Sequence, residues 1–334
     1  MVLVTGATGL VGSYLVKLLL AKGQQVRAIK RTTSNLALLG QYADKVEWVI
    51  ADILDVTALN DAMQGVSKVY HCAAVISFLP AEVDYMMKAN IEGTANVMNA
   101  AIAAGVQKVV HVSSIAALGI APEGKVIDEN YADPNINKSF WYFKSKHYAE
   151  REAWRANAEG LDVVVACPST IIGAGFWGDE PNSLFPEIYK GLKFYTTSTM
   201  GFVDVRDVAE SLYLLMESDY TEERFIISSQ NLSFRDVMWQ MADALKVNRP
   251  SIQATGFLRS IAWRLEKIKV LLTGKHPIVT KESANIASVN FAYSNQKFVA
   301  AFNYHFRPVS QTITDTANAY LQSVQRGENW GVYP

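Results

Sequence analysis

Val2-Leu3-Val4-Thr5-Gly6-Ala7-Thr8-Gly9-Leu10-Val11-Gly12 opens the chain, and its reading decides the fold. A short apolar run of β-type residues enters a turn with glycine at 6, 9 and 12, and the helical spacing of Leu15, Leu18, Leu19 and Leu20 leaves it. Strand, glycine turn and helix in that order form a unit suited to a pyrophosphate. Gly6 permits the tight turn, Gly9 lets the backbone approach the phosphates, and Gly12 lets helix and strand pack closely. Unpaired N–H groups at the helix start then meet the negative charge, which draws Thr8, Leu10 and Val11 into the same contact set. The helix stops at Gly23. By itself the pattern also fits an ordinary strand-to-helix turn, so the rest of the chain has to decide.

Residues 25–29 read as a second strand that ends in Lys30-Arg31-Thr32-Thr33-Ser34. At this place in a dinucleotide-binding unit an acidic residue would hold a free ribose 2′-hydroxyl. Here two cations and three hydroxyls stand instead, and an arginine can grip a 2′-phosphate bidentately. NADP is therefore favoured over NAD, with Arg31 as the main contact and Lys30 or Ser34 assisting. Residues 46–50 read as a third strand, followed by Asp52 and Ile53, a pair suited to an adenine amino group and ring face. Asp52 equally suits the cap of a helix beginning near Val56. Residues 69–74 read as a fourth strand, in which Cys72, Ala73 and Ala74 leave room for a flat cofactor and His71 reads as a core histidine.

Residues 82–104 have helical periodicity, with Asn90 and Gly93 in the middle. A glycine there costs about 1 kcal/mol relative to alanine, so either something approaches it closely or the helix bends. Residues 109–112 form a fifth strand running into Ser113-Ser114. Strands and helices alternating at this pace predict an α/β fold with a doubly wound parallel sheet and a ligand across the carboxyl ends of its strands.

The candidate chemistry lies in the helix predicted over 140–157. Tyr142 and Lys146 are four residues apart and so share a face. An ordinary phenol titrates near pH 10, and an ammonium group within about 6 Å is expected to lower that value, which makes the pair a usable general acid/base. Ser114, at the end of the adjacent strand, can polarise the same carbonyl oxygen. Serine, tyrosine and lysine together move a proton while a cofactor moves a hydride.

With these pieces in place the chain resembles the extended short-chain dehydrogenase/reductase family, whose members include the NAD-dependent epimerases and dehydratases. The resemblance rests on TGATGLVG at 5–12, Asp52-Ile53, HCAA at 71–74, Asn90 in KANIEGTANV, SSIAALG at 113–119, YFKSK at 142–146, CPSTIIGAG at 167–175 and FVDVRDVA at 202–209. It implies a Rossmann fold with Ser114, Tyr142 and Lys146 as catalytic residues and Asn90 supporting a water-mediated proton relay. It also implies that Pro168, Ser169, Thr170 and Ile171 lie beside the nicotinamide. The AIKR ending of the second strand resembles the dihydroflavonol reductase and aldehyde reductase branch, whose matching arginine meets the 2′-phosphate. One departure concerns substrate: sugar-nucleotide enzymes carry a charged pair where this chain has Met200-Gly201, although Arg206, Arg235 and Lys275 could substitute.

Composition narrows the rest. The 334 residues are 50% hydrophobic and 19% charged with net charge -1, and no long single-sign run favours a nucleic-acid groove or a membrane surface. Cys72 and Cys167 sit in apolar runs and read as core thiols. The opening apolar run breaks into glycines after four residues, and no apolar run reaches spanning length, so a cytoplasmic protein is expected. Residues 1–170 and 201–230 are assigned to the dinucleotide-binding domain, and 171–200 and 231–334 to a smaller, mainly helical substrate domain. Phe78, Trp141, Phe176 and Trp177 are expected to line the substrate pocket. Residues 257–272 read as an amphipathic basic helix, taken as a lid or core helix of the small domain. The small and apolar residues over 89–104 permit either a homodimer or a monomer.

The leading reading is an NADP-dependent reductase of a ketone or aldehyde with apolar surface. A sugar-nucleotide epimerase or dehydratase and a non-catalytic NADP-binding redox sensor are the alternatives.

Overall fold

The computed structural model describes residues 1–178, 182–256, 281–286 and 288–333. Among them the first strands are β1 (Val2–Thr5), β2 (Val26–Lys30), β3 (Glu47–Ile50), β4 (Lys68–His71) and β5 (Lys108–Val112). They are followed by β6 (Val126–Ile127), β7 (Asp162–Pro168), β8 (Thr170–Ile172), β9 (Phe194–Tyr195), β10 (Thr199–Asp204), β11 (Glu223–Ile227) and β12 (Gln230–Ser233). A seven-stranded sheet runs in the order β11-β7-β5-β4-β1-β2-β3, and every neighbouring pair is parallel. Strand order reverses at β1, which has β2 on one side and β4 on the other. That reversal opens a crevice at the carboxyl ends of the two strands, where the glycine turn lies.

The helices used below are α1 (Leu10–Ala21), α2 (Val56–Ala62), α3 (Val83–Ala103), α4 (Trp141–Ala158), α5 (Leu184–Tyr189), α6 (Val205–Glu217) and α7 (Phe234–Ala244). α2, α3 and α4 cover one face of the seven-stranded sheet and α1 and α6 the other, which explains why its inner strands are continuously apolar. Along β7, Val163, Val165 and Cys167 enter the core under α3 and α4, while Val164 and Ala166 enter the core under α1 and α6. The alternation follows from the two-residue period of a strand. Gly93 is explained by packing: a Cβ there would lie 2.5 Å from Ile53 Cδ1, so α3 passes directly over Ile53, three residues beyond β3.

β4 is shorter than the sequence suggests. Cys72 N–H still donates to Thr5 O of β1 at 3.3 Å, but Ala73 N–H turns to Thr5 Oγ1 at 3.2 Å, which carries the chain beneath Gly6. His71 is the satisfied core histidine expected, its ring nitrogens 2.8 Å from Thr5 Oγ1 and 3.0 Å from Thr94 Oγ1. Both cysteines are free thiols.

A smaller, mainly helical lobe stands beyond the carboxyl end of β7. Its sheet has β10 parallel to β8 and antiparallel to β12. Around this sheet, α5, α7 and the helix Val309–Arg326 enclose a third core containing Phe185, Val237, Met241, Ile313 and Tyr320. Ser233 caps α7 as its Ser-x-x-Asp spacing suggests, accepting from Asp236 N at 3.1 Å. From the same late part of the chain, Phe298 packs instead on Phe225 of β11 in the main core. No described helix is long and apolar enough to cross a membrane.

Candidate functional site

The three glycines of the opening turn have three different reasons. Gly6 has φ +68°, and a Cβ on it would meet Ala73 N at 2.7 Å. A Cβ on Gly12 would lie 2.2 Å from Gly6 O. For Gly9 the nearest neighbour is Gly6 O at 3.4 Å, so the protein itself leaves room for a side chain there. α1 begins at that residue with no side-chain cap and no acidic group in its first turn. A helix start that its own chain neither caps nor neutralises, beside a position kept open, suits the pyrophosphate of a dinucleotide.

At the end of β2, Arg31 is exposed, with Nη1 3.5 Å from the Tyr85 hydroxyl of α3. Its expected helpers are engaged elsewhere. Ser34 Oγ accepts from Arg31 N at 3.0 Å and so builds the turn, while Lys30 lies over the Trp48 ring at 5.8 Å. Asp52 does not cap α2; Asp55 does, accepting from Ala58 N at 3.0 Å. Asp52 instead forms a local turn by accepting from Leu54 N at 2.9 Å.

On the opposite side of the crevice, α4 presents Tyr142 and Lys146. Lys146 is buried and donates to Val112 O at 2.9 Å, at the end of β5. Burial pulls its ammonium group down to about 8. Tyr142 is pushed up by burial, with a hydrogen bond from Ser114 pulling the other way. This corrects the expected electrostatics: the ammonium group is bonded to a backbone carbonyl, and burial outweighs any lowering of the phenol. Ser114, whose pull on the phenol opposes burial, has its Oγ accepting from Ala116 N at 3.1 Å.

Asn90 is buried and fully engaged. Its Oδ1 accepts from Val75 N at 2.7 Å, and its Nδ2 donates to Val75 O at 2.9 Å and Ser145 Oγ at 3.0 Å. Both carboxamide donors are used on the protein, so the side chain pins the segment after β4 to α4 rather than donating to a relay water. Pro168 ends β7, Ser169 N donates to Ile227 O at 3.0 Å, and Ile171 pairs with Val203 in the small sheet.

Of the expected pocket aromatics, Phe78 stands edge-to-face with Tyr142 at 5.9 Å. Trp141 is 46% exposed at the start of α4, with Lys144 over its ring at 4.2 Å. Phe176 and Trp177 do not join them. Trp177 is 5% exposed and packs against Tyr320 at 5.1 Å, and its amide donates to Asn329 O at 2.9 Å. Phe176 bridges to Trp330. The late tail of the chain fastens this segment into the core of the small lobe.

Arg206 is held by Asp204 at 2.6 Å and Asp315 at 2.7 Å and lies over the Tyr333 ring, so it is not free for a substrate phosphate. Arg235 pairs with Asp236 at 3.0 Å. Lys275 and residues 257–272 lie outside the described residues. Among the described residues no cluster of three or more His, Cys, Asp or Glu suits a metal ion. The helices α3 and α4 pack on each other and expose Lys88, Glu92, Asn99 and Arg151 alongside the aromatics Tyr85 and Trp141.

Two contacts at the site escaped the sequence reading. Glu282 accepts from Trp141 N at 2.8 Å, satisfying an amide at the start of α4 from far along the chain. Glu150, four residues beyond Lys146, anchors a buried network. Its spacing was visible in the sequence, but its partners were not.

The model of the NAD dependent epimerase/dehydratase family matches residues 2–228. A Synechocystis protein provisionally named dihydroflavonol 4-reductase is 30% identical over 324 residues, covering 94% of this chain and 93% of the relative. Cinnamoyl-CoA reductase 1 of Petunia hybrida is 34% identical over 253 residues, covering 71% of this chain and 75% of the relative. Among solved structures, the crystal structure of gox2253 superposes with a TM-score of 0.83 at 29% identity, covering 98% of each chain.

Proposed function

Because the chain belongs to the NAD dependent epimerase/dehydratase family, of the extended short-chain dehydrogenase/reductase type, we propose that it is an NADP-dependent reductase of ketones or aldehydes with substantial apolar surface. The observation that carries this reading is the anchoring of Lys146, one helical turn from Tyr142 on α4, to Val112 O at the carboxyl end of β5, two residues before Ser114, in a sheet whose strand order reverses at the glycine turn. When bound, the nicotinamide coenzyme supplies the hydride that reduces the carbonyl carbon.

Tyr142 is the proton donor in this reading. Its phenol, raised by burial, holds its proton at neutral pH, and the pull of Ser114 in the other direction favours giving that proton to a carbonyl oxygen as negative charge develops there. Ser114 directs its hydroxyl at the same oxygen, and Lys146 holds positive charge one helical turn behind the phenol. Gly6, Thr8, Gly9, Leu10, Val11 and Gly12 hold the pyrophosphate, Asp52 and Ile53 the adenine, and Cys72, Ala73, Ala74, Pro168, Ser169, Thr170 and Ile171 the nicotinamide side. Arg31, exposed at a strand end that has no acidic residue, takes the 2′-phosphate. Phe78 offers an apolar edge beside Tyr142, and Trp141 stands exposed at the head of the same helix. The relatives named as reductases of dihydroflavonols and of cinnamoyl-CoA make aromatic carbonyl compounds and aromatic thioesters the first substrates to try.

The test is NADPH consumption with a panel of aromatic and aliphatic aldehydes, ketones and thioesters. In Tyr142→Phe, turnover falls by roughly 100-fold or more while NADPH still binds. Turnover at the wild-type rate rejects the role of Tyr142. A wild-type protein that converts sugar nucleotides with no net change in NADPH absorbance rejects the reductase reading.

A further inference from the structure

α4 carries a third polar residue on the face of Tyr142 and Lys146. Glu150 follows Lys146 by four residues and is 3% exposed. Its Oε2 accepts from Ser113 Oγ at 2.7 Å; its Oε1 accepts from Arg224 Nη1 at 2.9 Å and from Trp154 Nε1 at 3.2 Å. Arg224 reaches in from β11, two strands away from β5 in the sheet, and its Nε is fixed by donating to Glu129 O at 2.8 Å. Two bonds therefore clamp α4 to the end of β5, Lys146 to Val112 O and Ser113 to Glu150, immediately before Ser114.

The groups facing Lys146 leave Glu150 as its source of negative charge. From β4 and the residue after it come His71, pulled down to about 3 by burial, and Cys72, pushed up to about 12 by burial. From β5 comes His111, pulled well below its usual value by burial, and from β7 Cys167, pushed well above its usual value by burial. At neutral pH these imidazoles and thiols are uncharged, and so is the buried phenol of Tyr142. On the far side of the carboxylate stands Arg224, with Glu129 beyond it.

We propose that Glu150 is a positioning residue for the proton-transfer group: braced by Arg224 and Ser113, it sets the gap between α4 and Ser114 and supplies the negative charge that faces the Lys146 ammonium. The inference rests on the reductase reading for its catalytic consequence. Its electrostatic content stands independently. A buried carboxylate with a charged partner and two further donors is retained at a cost in desolvation, and a charge on the helix of the acid/base pair gives it a use.

Glu150→Gln keeps the shape but removes the charge: with the amide oxygen turned toward Arg224 and Trp154, its Nε2 donates to Ser113 Oγ in place of the bond that Ser113 donates in the wild type. The loss of rate at alkaline pH, where Lys146 gives up its proton, moves about one pH unit lower. At pH 8 kcat falls by about fivefold, while KM changes by less than about twofold.

A second measurement needs no turnover. Burial leaves Lys146 at about 8 in the folded protein against an ordinary 10.5. Below the lower value both states hold the proton and the penalty is constant. Between the two values the unfolded chain holds more protons, so stability rises with pH. This rise in the thermal midpoint, absent in Lys146→Met, starts about one pH unit lower in Glu150→Gln. If the variant fails to fold because Arg224 has lost its partner, Glu150→Gln/Arg224→Gln removes both charges and is expected to show a smaller displacement in the same direction, because the nearer charge is the one on Glu150. Thermal and rate profiles that superpose on the wild type overturn the proposal. A wild-type protein that never consumes NADPH but whose thermal profile shifts as described overturns only the reductase reading.

Discussion

Replacing Gly93 by alanine sets two calculable effects against each other. In the middle of α3, alanine is favoured over glycine by about 1 kcal/mol of helix propensity. The added Cβ, however, would lie 2.5 Å from Ile53 Cδ1, 2.8 Å from Cγ1 and 3.4 Å from Cβ. Carbon atoms pack best near 3.5–4.0 Å. Rotating the terminal methyl removes only the first clash, because Cγ1 moves only with χ1, which is stiff in a β-branched side chain. Overpacking of this kind costs about 1–3 kcal/mol, so Gly93→Ala is expected to destabilise by about 1 kcal/mol net, lowering the thermal midpoint by about 2 °C. In an Ile53→Ala background the obstruction is gone and the same change should stabilise by about 1 kcal/mol, a coupling of about 2 kcal/mol. Urea and thermal unfolding of the four proteins measure this directly. A stabilising Gly93→Ala in the wild-type background, or an equal effect in both, refutes the reasoning.

Gly9 and Gly12 are expected to respond oppositely to alanine. A Cβ at position 12 strikes Gly6 O at 2.2 Å, a backbone atom with no rotamer to escape into, so Gly12→Ala loses about 3 kcal/mol and coenzyme binding together. Gly9→Ala meets its nearest protein atom at 3.4 Å and should keep wild-type unfolding while losing dinucleotide affinity; normal NADPH binding by this variant contradicts the phosphate site. Arg31→Ala is expected to weaken NADP by about 10- to 100-fold through loss of charged hydrogen bonds, with NAD affinity unchanged in a fluorescence titration. An equal loss for both coenzymes removes Arg31 from the 2′-phosphate.

The parts of this protein that were legible in the sequence are those whose signal spans a few residues. Strand, glycine turn and helix at 2–21, the four-residue spacing of Tyr142 and Lys146, and the Ser233 cap are each complete within a turn or two of chain, and the structure has them in place. The parallel sheet followed because strands separated by crossover helices have few other ways to pair. Competition between nearby residues was already harder: Asp55, three positions from Asp52, took the helix cap.

Tertiary structure alone decided what each polar or aromatic side chain faces. Trp177 reads like a pocket residue until the tail at Asn329 and Gly331 closes over it, and Arg206 reads like a free cation until Asp315 arrives from 109 positions away. The acidity of Tyr142 was misjudged for the same reason. A four-residue spacing brings an amine near a phenol, but Val112 O takes the amine and the surrounding core sets the desolvation. Local backbone preferences are short-range and therefore written in consecutive residues, whereas burial and charge pairing depend on atoms that become neighbours only when the whole chain has folded.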